Sequence, residues 1–377
     1  MRIASACLVA LLMAVSTAAA ADTLGISKTK PAEGPFVEID GGFMVPYEIT
    51  VPGAEVKLSM VPVPGGTRVM GEGDSAYTVK VEPFWMQKTE TTWAQYKEFM
   101  ALYDQLKKIE GAGVRPVTDD NKVDAVTIPT PLYEPSFTFE NGEDPQQAAV
   151  TMTQYSAMQY SKWISGVTGD QYRLPSEAEW EFAAAGGEKG PYSFGDVDKI
   201  GDYAWYVDNA DGAQAKVGEK KPNQYGLYDM NGNVWEWVLD AYTEETPEAL
   251  AGKTVTVAEA IQWPTEPFPL CSKGGSWDDD AENCKVTSKL GSHDDDWKAS
   301  DPNFPLSPWW FTEYPSTCVG FRLIRPLTEL PKTEMRKYWD SLPESLQFDV
   351  TDRLGGGRGV LGLVDEKLPE AIKQVQD

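Results

Sequence analysis

From Gly190 to Pro326, brief apolar runs alternate with Gly, Asn, Asp and Pro. Gly permits backbone angles closed to other residues and Pro removes an amide donor, so each such cluster stops the element before it. The stretch reads as an irregular α+β core with low regular secondary-structure content and much of its backbone in loops. Upstream the punctuation is cleaner. Val56 to Met70 reads as short strands broken at Pro64-Gly65-Gly66. Thr92 with Gln95 has the spacing of a capping box, and Tyr96, Phe99, Met100, Tyr103 and Leu106 follow at helical intervals, which predicts a helix to about Glu110. Gly111 to Gln147 lacks a sustained period and reads as a long loop. Thr153 predicts the start of a helix ending near Gly166 and Gly169, and Ser176 with Glu179 a short one stopped by Gly186-Gly187.

The two ends differ in character from this centre. Arg2, an apolar run from Ile3 to Val15 and the small residues Ser16 to Ala21 form the pattern of a secretory signal peptide. The apolar run is too short to span a hydrocarbon core of ~30 Å, and no later stretch is long enough, so an exported protein without a membrane span is expected, secreted or periplasmic. Residues 22–55 are a polar N-terminal lead-in, 56–327 the main domain, and 328–377 a partly helical tail. In that tail, Lys332 to Leu342 and Glu366 to Gln376 flank the flexible Gly355-Gly356-Gly357, and the whole is either packed on the domain or tethered to it. The formal net charge of −25 repels nucleic acid and anionic lipid. It serves solubility, cation binding or attraction of basic partners.

Four ordered motifs carry a family resemblance. Tyr172-Arg173-Leu174-Pro175-Ser176-Glu177-Ala178-Glu179-Trp180-Glu181, the run Tyr225 to Trp237 (YGLYDMNGNVWEW), Gly274-Gly275-Ser276-Trp277 and Gly320-Phe321-Arg322 resemble, in that order, the signatures of the formylglycine-generating enzyme (sulfatase-modifying factor) family. Pro62 to Gly66 and Phe84 to Thr92 are similar to its opening. The resemblance implies a modified C-type-lectin-like fold, and it implies structural calcium held by backbone oxygens of Asn231, Gly232 and Val234 and by the Glu236 side chain. Oxygen donors of that kind suit a hard cation. The alternative is a cation-free turn with Glu236 bonded to backbone amides.

Catalysis in the family, as the resemblance implies it, oxidises a substrate cysteine to formylglycine with oxygen and a copper ion held by two thiolates. Soft thiolates suit Cu(I). By position the first thiolate is replaced here by Asp279 and the second is Cys284. Cys318 stands where the family places a pocket asparagine, so Cys284 and Cys318 are expected near each other. They form a disulfide, or one of them pairs with Cys271, or they remain a dithiol metal or redox site. By correspondence Ser276 and Trp237 line the pocket, with Trp277 and Asp279 beside them and Trp297, Trp309 and Trp310 on nearby segments. Aromatic faces beside carboxylates bind sugars or cationic peptide side chains. With only His293 in the chain, a three-histidine iron site is excluded. Two functions follow. One is a divergent or non-catalytic member binding a peptide, glycan or exported protein; the other is a copper-dependent oxidoreductase acting on an exported peptide or metabolite.

Overall fold

A computed structural model describes residues 23–118, 122–124, 138–298, 307–340 and 342–376. The signal-peptide reading of residues 1–21 and part of the Gly111–Gln147 loop lie outside them. The architecture is α+β, built from small sheets and three central helices. Thr92 caps the helix Trp93–Ala112, its side chain accepting from the Gln95 amide while Gln95 reaches back to the Thr92 amide, and Gly113 ends it in a left-handed conformation. Thr153 caps Gln154–Thr168, which stops at Gly169. Ser176 and Glu179 box the start of Glu177–Ala185, which stops at Gly186.

Pro64-Gly65 does not fold its flanking strands onto each other. Lys57–Val63 lies between Tyr47–Thr50 and Phe84–Gln87 in one sheet whose far edge is Ile324–Pro326, while Gly66–Met70 turns away to pair with Tyr77–Val81 in another. Within the lead-in, Tyr47–Thr50 pairs along its length with Lys57–Val63, Tyr47 opposite Met60. Leu24 contributes too, its carbonyl accepting from Arg325 at 3.0 Å.

The C-terminal segment packs on the domain. Lys332–Trp339 lies on the helix Gln154–Thr168, and Leu368–Gln376 on Trp93–Ala112. Leu361–Leu363 pairs with Lys122–Asp124. Met335, Tyr338, Leu368 and Ile372 are buried in the same apolar cluster as Trp93, Tyr96, Tyr160 and Phe321. Burial of this kind stabilises by about 1.5–3 kcal/mol per large side chain. Close contacts fix the approach: a Cβ on Gly166 would lie 2.6 Å from Val364, and one on Gly362 2.2 Å from Leu106.

The sheet that positions the site runs in the order Lys289–Gly291, Leu270–Lys273, Trp235–Ala241 and Val319–Gly320. Its first two neighbours are antiparallel, and Trp235 runs parallel to Val319. The Gly-Gly-Ser and Gly-Phe-Arg motifs thus emerge on either side of the Trp235–Trp237 strand. Sequence segments some 40 residues apart meet there because the sheet brings them together.

Candidate functional site

Beyond Lys273 the chain takes two left-handed residues, Gly274 and Gly275, with φ of 105° and 79°. A Cβ on Gly275 would lie 2.8 Å from both Cα and Sγ of Cys284, so only glycine lets the strand end lie flush on that cysteine. Ser276 follows, buried, and its hydroxyl donates to Asp279 Oδ2 at 2.5 Å, with its amide on the same oxygen at 3.0 Å. The Trp235 indole N–H adds a third donor to that oxygen at 2.8 Å. Asp279 is thereby pinned across a tight turn, its other oxygen 3.5 Å from the Asn283 amide nitrogen.

Both thiols border Ser276. Cys284 Sγ lies 3.9 Å from the Ser276 carbonyl, and Cys318, at the end of the turn Ser316–Cys318, lies against the Ser276 side chain and 4.0 Å from the Thr317 hydroxyl. The Asn231 side chain holds the Cys284 backbone, donating to its carbonyl at 2.6 Å and accepting from the Ser193 hydroxyl at 2.6 Å. Asp278 and Tyr314 form an exposed rim. Burial, then the charges of Asp279 and Asp280, drive the Cys284 thiol far above its ordinary range. Burial pushes Cys318 up to about 12, with Asp278 and Asp279 adding to it. Asp279 is itself raised by burial, against the opposing bonds from Ser276 and Trp235. Burial and the neighbouring acids thus favour the protonated form of both thiols.

Expected and observed roles part at several residues. Ser276, Asp279, Cys284 and Cys318 are brought together. The disulfide expected between Cys284 and Cys318 is not formed: these and Cys271 are all free and buried. Trp237 is fully buried, bonded through its indole N–H to the Met152 carbonyl at 2.9 Å and packed on Trp297 and Phe311. Trp297, Trp309 and Trp310 are likewise buried. Trp277 remains near the site, its amide on the Asn233 carbonyl at 2.8 Å and its indole N–H without a partner among the described residues.

Glu236 does not fit the calcium set. Strand alternation turns it to the face opposite Trp235 and Trp237, where both its oxygens bond Arg322 at 2.6 and 2.7 Å and one also takes the Trp180 indole N–H at 2.8 Å. With the Asn231 side chain also engaged, the set Asn231, Gly232, Val234 and Glu236 offers no side-chain carboxylate to a cation. Copper fares no better on the donors present, since a hard carboxylate stands where one soft ligand would. Sequence reasoning missed Trp235 and Tyr314, and it gave Asn231 a role other than holding the Cys284 backbone. Only Trp235 left a signal, a large polar-tipped residue two positions before Trp237 on the same strand face.

Residues 50–301 match the sulfatase-modifying factor enzyme 1-like domain, two thirds of the chain. The chain belongs to that family. Among sulfatase-modifying factor relatives, the formylglycine-generating enzyme of Thermomonospora curvata is 29% identical over 227 residues, 51% of this chain and 74% of the relative. The mouse protein named inactive C-alpha-formylglycine-generating enzyme 2 is 27% identical over 283 residues, 64% of this chain and 83% of that protein. Other curated relatives are matched over less of their length, 39% of one and 19% of another. The solved structure of Treponema denticola variable protein 1 superposes with a TM-score of 0.50 at 21% identity, covering 75% of this chain and 99% of that one. This likeness bears out the modified C-type-lectin-like fold.

Within this sulfatase-modifying factor domain the four motifs now have physical roles. Arg173 and Glu179 of the first form a buried two-pronged pair at 2.7 and 2.8 Å that closes the capping box. Glu181 of the same motif takes the fully buried Lys273 at 2.8 Å, anchoring the strand that carries Ser276. Arg322 of the last motif grips Glu236 of the second. The motifs are the frame, and the site sits where they converge.

Proposed function

We propose that this is an exported, divergent member of the sulfatase-modifying factor family whose pocket around Ser276, Asp279, Cys318 and Trp277 binds a peptide, glycan or exported protein without copper-dependent oxidation. One observation carries the reading: the carboxylate of Asp279 stands in the first thiolate position and takes three donors, from Ser276 and Trp235, on one oxygen. A group committed to three donors inside the turn braces the loop, and leaves Cys284 as the one thiol of the two-cysteine pattern. That the family includes a mouse member named inactive supports the reading. Export rests on the leader-like first 21 residues, and among the described residues no helix is long and apolar enough to cross a membrane. The acid surface favours partners with basic or neutral faces over nucleic acid.

The alternative is a copper-dependent oxidoreductase acting on an exported peptide or metabolite. Its support is that Cys284 and Cys318 both border Ser276. Copper stoichiometry on reduced, leader-free protein separates the two, with Cys284→Ser as control. No Cu(I) uptake, with saturable retention on a peptide or glycan array that Asp278→Asn and Tyr314→Ala weaken, is expected. About one Cu(I) per chain, lost in the Cys284→Ser variant, overturns the binding reading.

A further inference from the structure

A second concavity opens at the edge of the sheet that carries the site. It encloses about 490 Å³, the size of a small-ligand pocket, and Tyr242, Glu244, Lys289, His293, Asp296 and Pro315 are among its walls. Pro315 follows Tyr314 of the pocket rim, so the two openings are neighbours along the chain, yet none of Ser276, Asp279, Cys284 and Cys318 lines this one.

Its floor is the edge strand Lys289–Gly291. Gly291 is needed there: a Cβ would lie 2.7 Å from two carbons of the Tyr242 ring, so the ring rests on bare backbone and stands as an aromatic wall. Lys289, on the same face, is already committed. Its ammonium bonds the Thr243 carbonyl, stands 4.0 Å from Glu177 and lies 5.5 Å from the Tyr242 ring centre. Burial, then the Glu244 charge, raises the Tyr242 phenol above its ordinary range, which places that carboxylate beside the ring. Glu244, His293 and Asp296 are exposed, and among the described residues their side chains have no hydrogen-bond or ion-pair partner.

A groove with an aromatic wall, two unengaged carboxylates and an imidazole sorts its ligands by chemistry. Sulfated or phosphorylated chains meet Glu244, Asp296 and a net charge of −25. A peptide adding as a strand finds an edge of three residues, one of which, Gly291, is buried. A sugar suits every wall, because its hydroxyls both donate and accept and its C–H face packs on a flat ring. We propose that this groove is a saccharide site, taking a neutral oligosaccharide whose ring lies on Tyr242 and whose hydroxyls donate to Glu244 and Asp296. The assignment goes beyond the Ser276 pocket and holds whatever that pocket binds.

Calorimetric titration of the protein with cellotetraose, N-acetylchitotetraose and maltotetraose tests it. At least one should bind, with an affinity that hardly changes between low and high salt, because the ligand carries no charge. Glu244→Ala and Asp296→Ala should each weaken that binding by about tenfold, the effect of losing a hydrogen bond to a charged group. Both side chains are exposed, so the melting temperature should stay in place. Asp278→Asn, at the pocket rim, should leave binding unchanged. Failure of all three sugars to bind overturns the proposal, as does binding that survives both alanine variants. Sugar binding lost in Asp278→Asn but kept in Glu244→Ala would put the sugar in the Ser276 pocket and overturn it too. If a lysine tetrapeptide binds at low salt and no sugar does, the groove is a cation site instead.

Discussion

The Ser276 hydroxyl donates to the Asp279 carboxylate at 2.5 Å, and this bond closes the turn that in the two-cysteine pattern would carry a thiolate. The carboxylate braces Trp235 as well. Asp279→Cys should therefore do two opposite things. It restores the thiol at the first position and should raise Cu(I) uptake toward one per chain, while leaving Ser276 and the Trp235 indole short of an acceptor at a cost of about 1–3 kcal/mol. Copper titration paired with urea unfolding reads both. A variant that gains copper with no loss of stability would show that Asp279 is not a brace.

Glu236 and Arg322 form a buried two-pronged ion pair, so removing one partner strands the other's charge. Arg322→Met should destabilise by about 3–5 kcal/mol. The loss should be the same in calcium and in chelator. A stability gap that appears only when calcium is present would restore the cation role to Glu236.

The buried Asp240 accepts from the Glu177 and Gln262 backbone N–H groups at 2.7 and 2.9 Å, yet burial, then the Glu177 charge, raise it to about 7. The folded state thus holds this proton more tightly than the unfolded chain, whose Asp titrates near about 3.9. The stabilising contribution is fully present below that value and is lost as pH rises through about 7. Asp240→Asn should flatten this component, seen as a smaller fall in denaturation midpoint between pH 4 and pH 7 in roughly that window. Parallel curves for the two proteins would count against it.

Cys271, Cys284 and Cys318 are all buried and none is paired. Alkylation of the untreated native protein at neutral pH should be slow at each, and unfolding without reductant should release all three to the reagent. Finding only one reactive thiol after unfolding would mean that two had joined.

Gly275 presses on Cys284 with a left-handed backbone. Gly275→Ala should cost about 1–3 kcal/mol, displace Cys284 and weaken ligand retention. Calorimetry together with the binding array checks it. A neutral result would mean that the turn has more room than its contacts indicate.

Local signals in the sequence carried far. Thr92 with Gln95, Thr153 and Ser176 with Glu179 start helices where expected, because a cap is settled by residues three apart. Motif order was enough to converge Ser276, Asp279, Cys284 and Cys318. What stayed illegible needed long-range partners. Glu236 reads as a cation ligand until Arg322, 86 positions on, is seen to claim it. Trp237 reads as pocket lining until its strand shows which face is wrapped by Phe311. Tyr47–Thr50 is too short to announce itself as a strand, and exists because Lys57–Val63 offers an edge.

The helix Leu368–Gln376 lies on Trp93–Ala112 and buries Leu368, Ala371 and Ile372. Partners so distant along the chain can meet only after everything between them has been made. A core closed by such contacts must bring far-apart segments together before their burial rewards it, which slows folding relative to a core of local contacts.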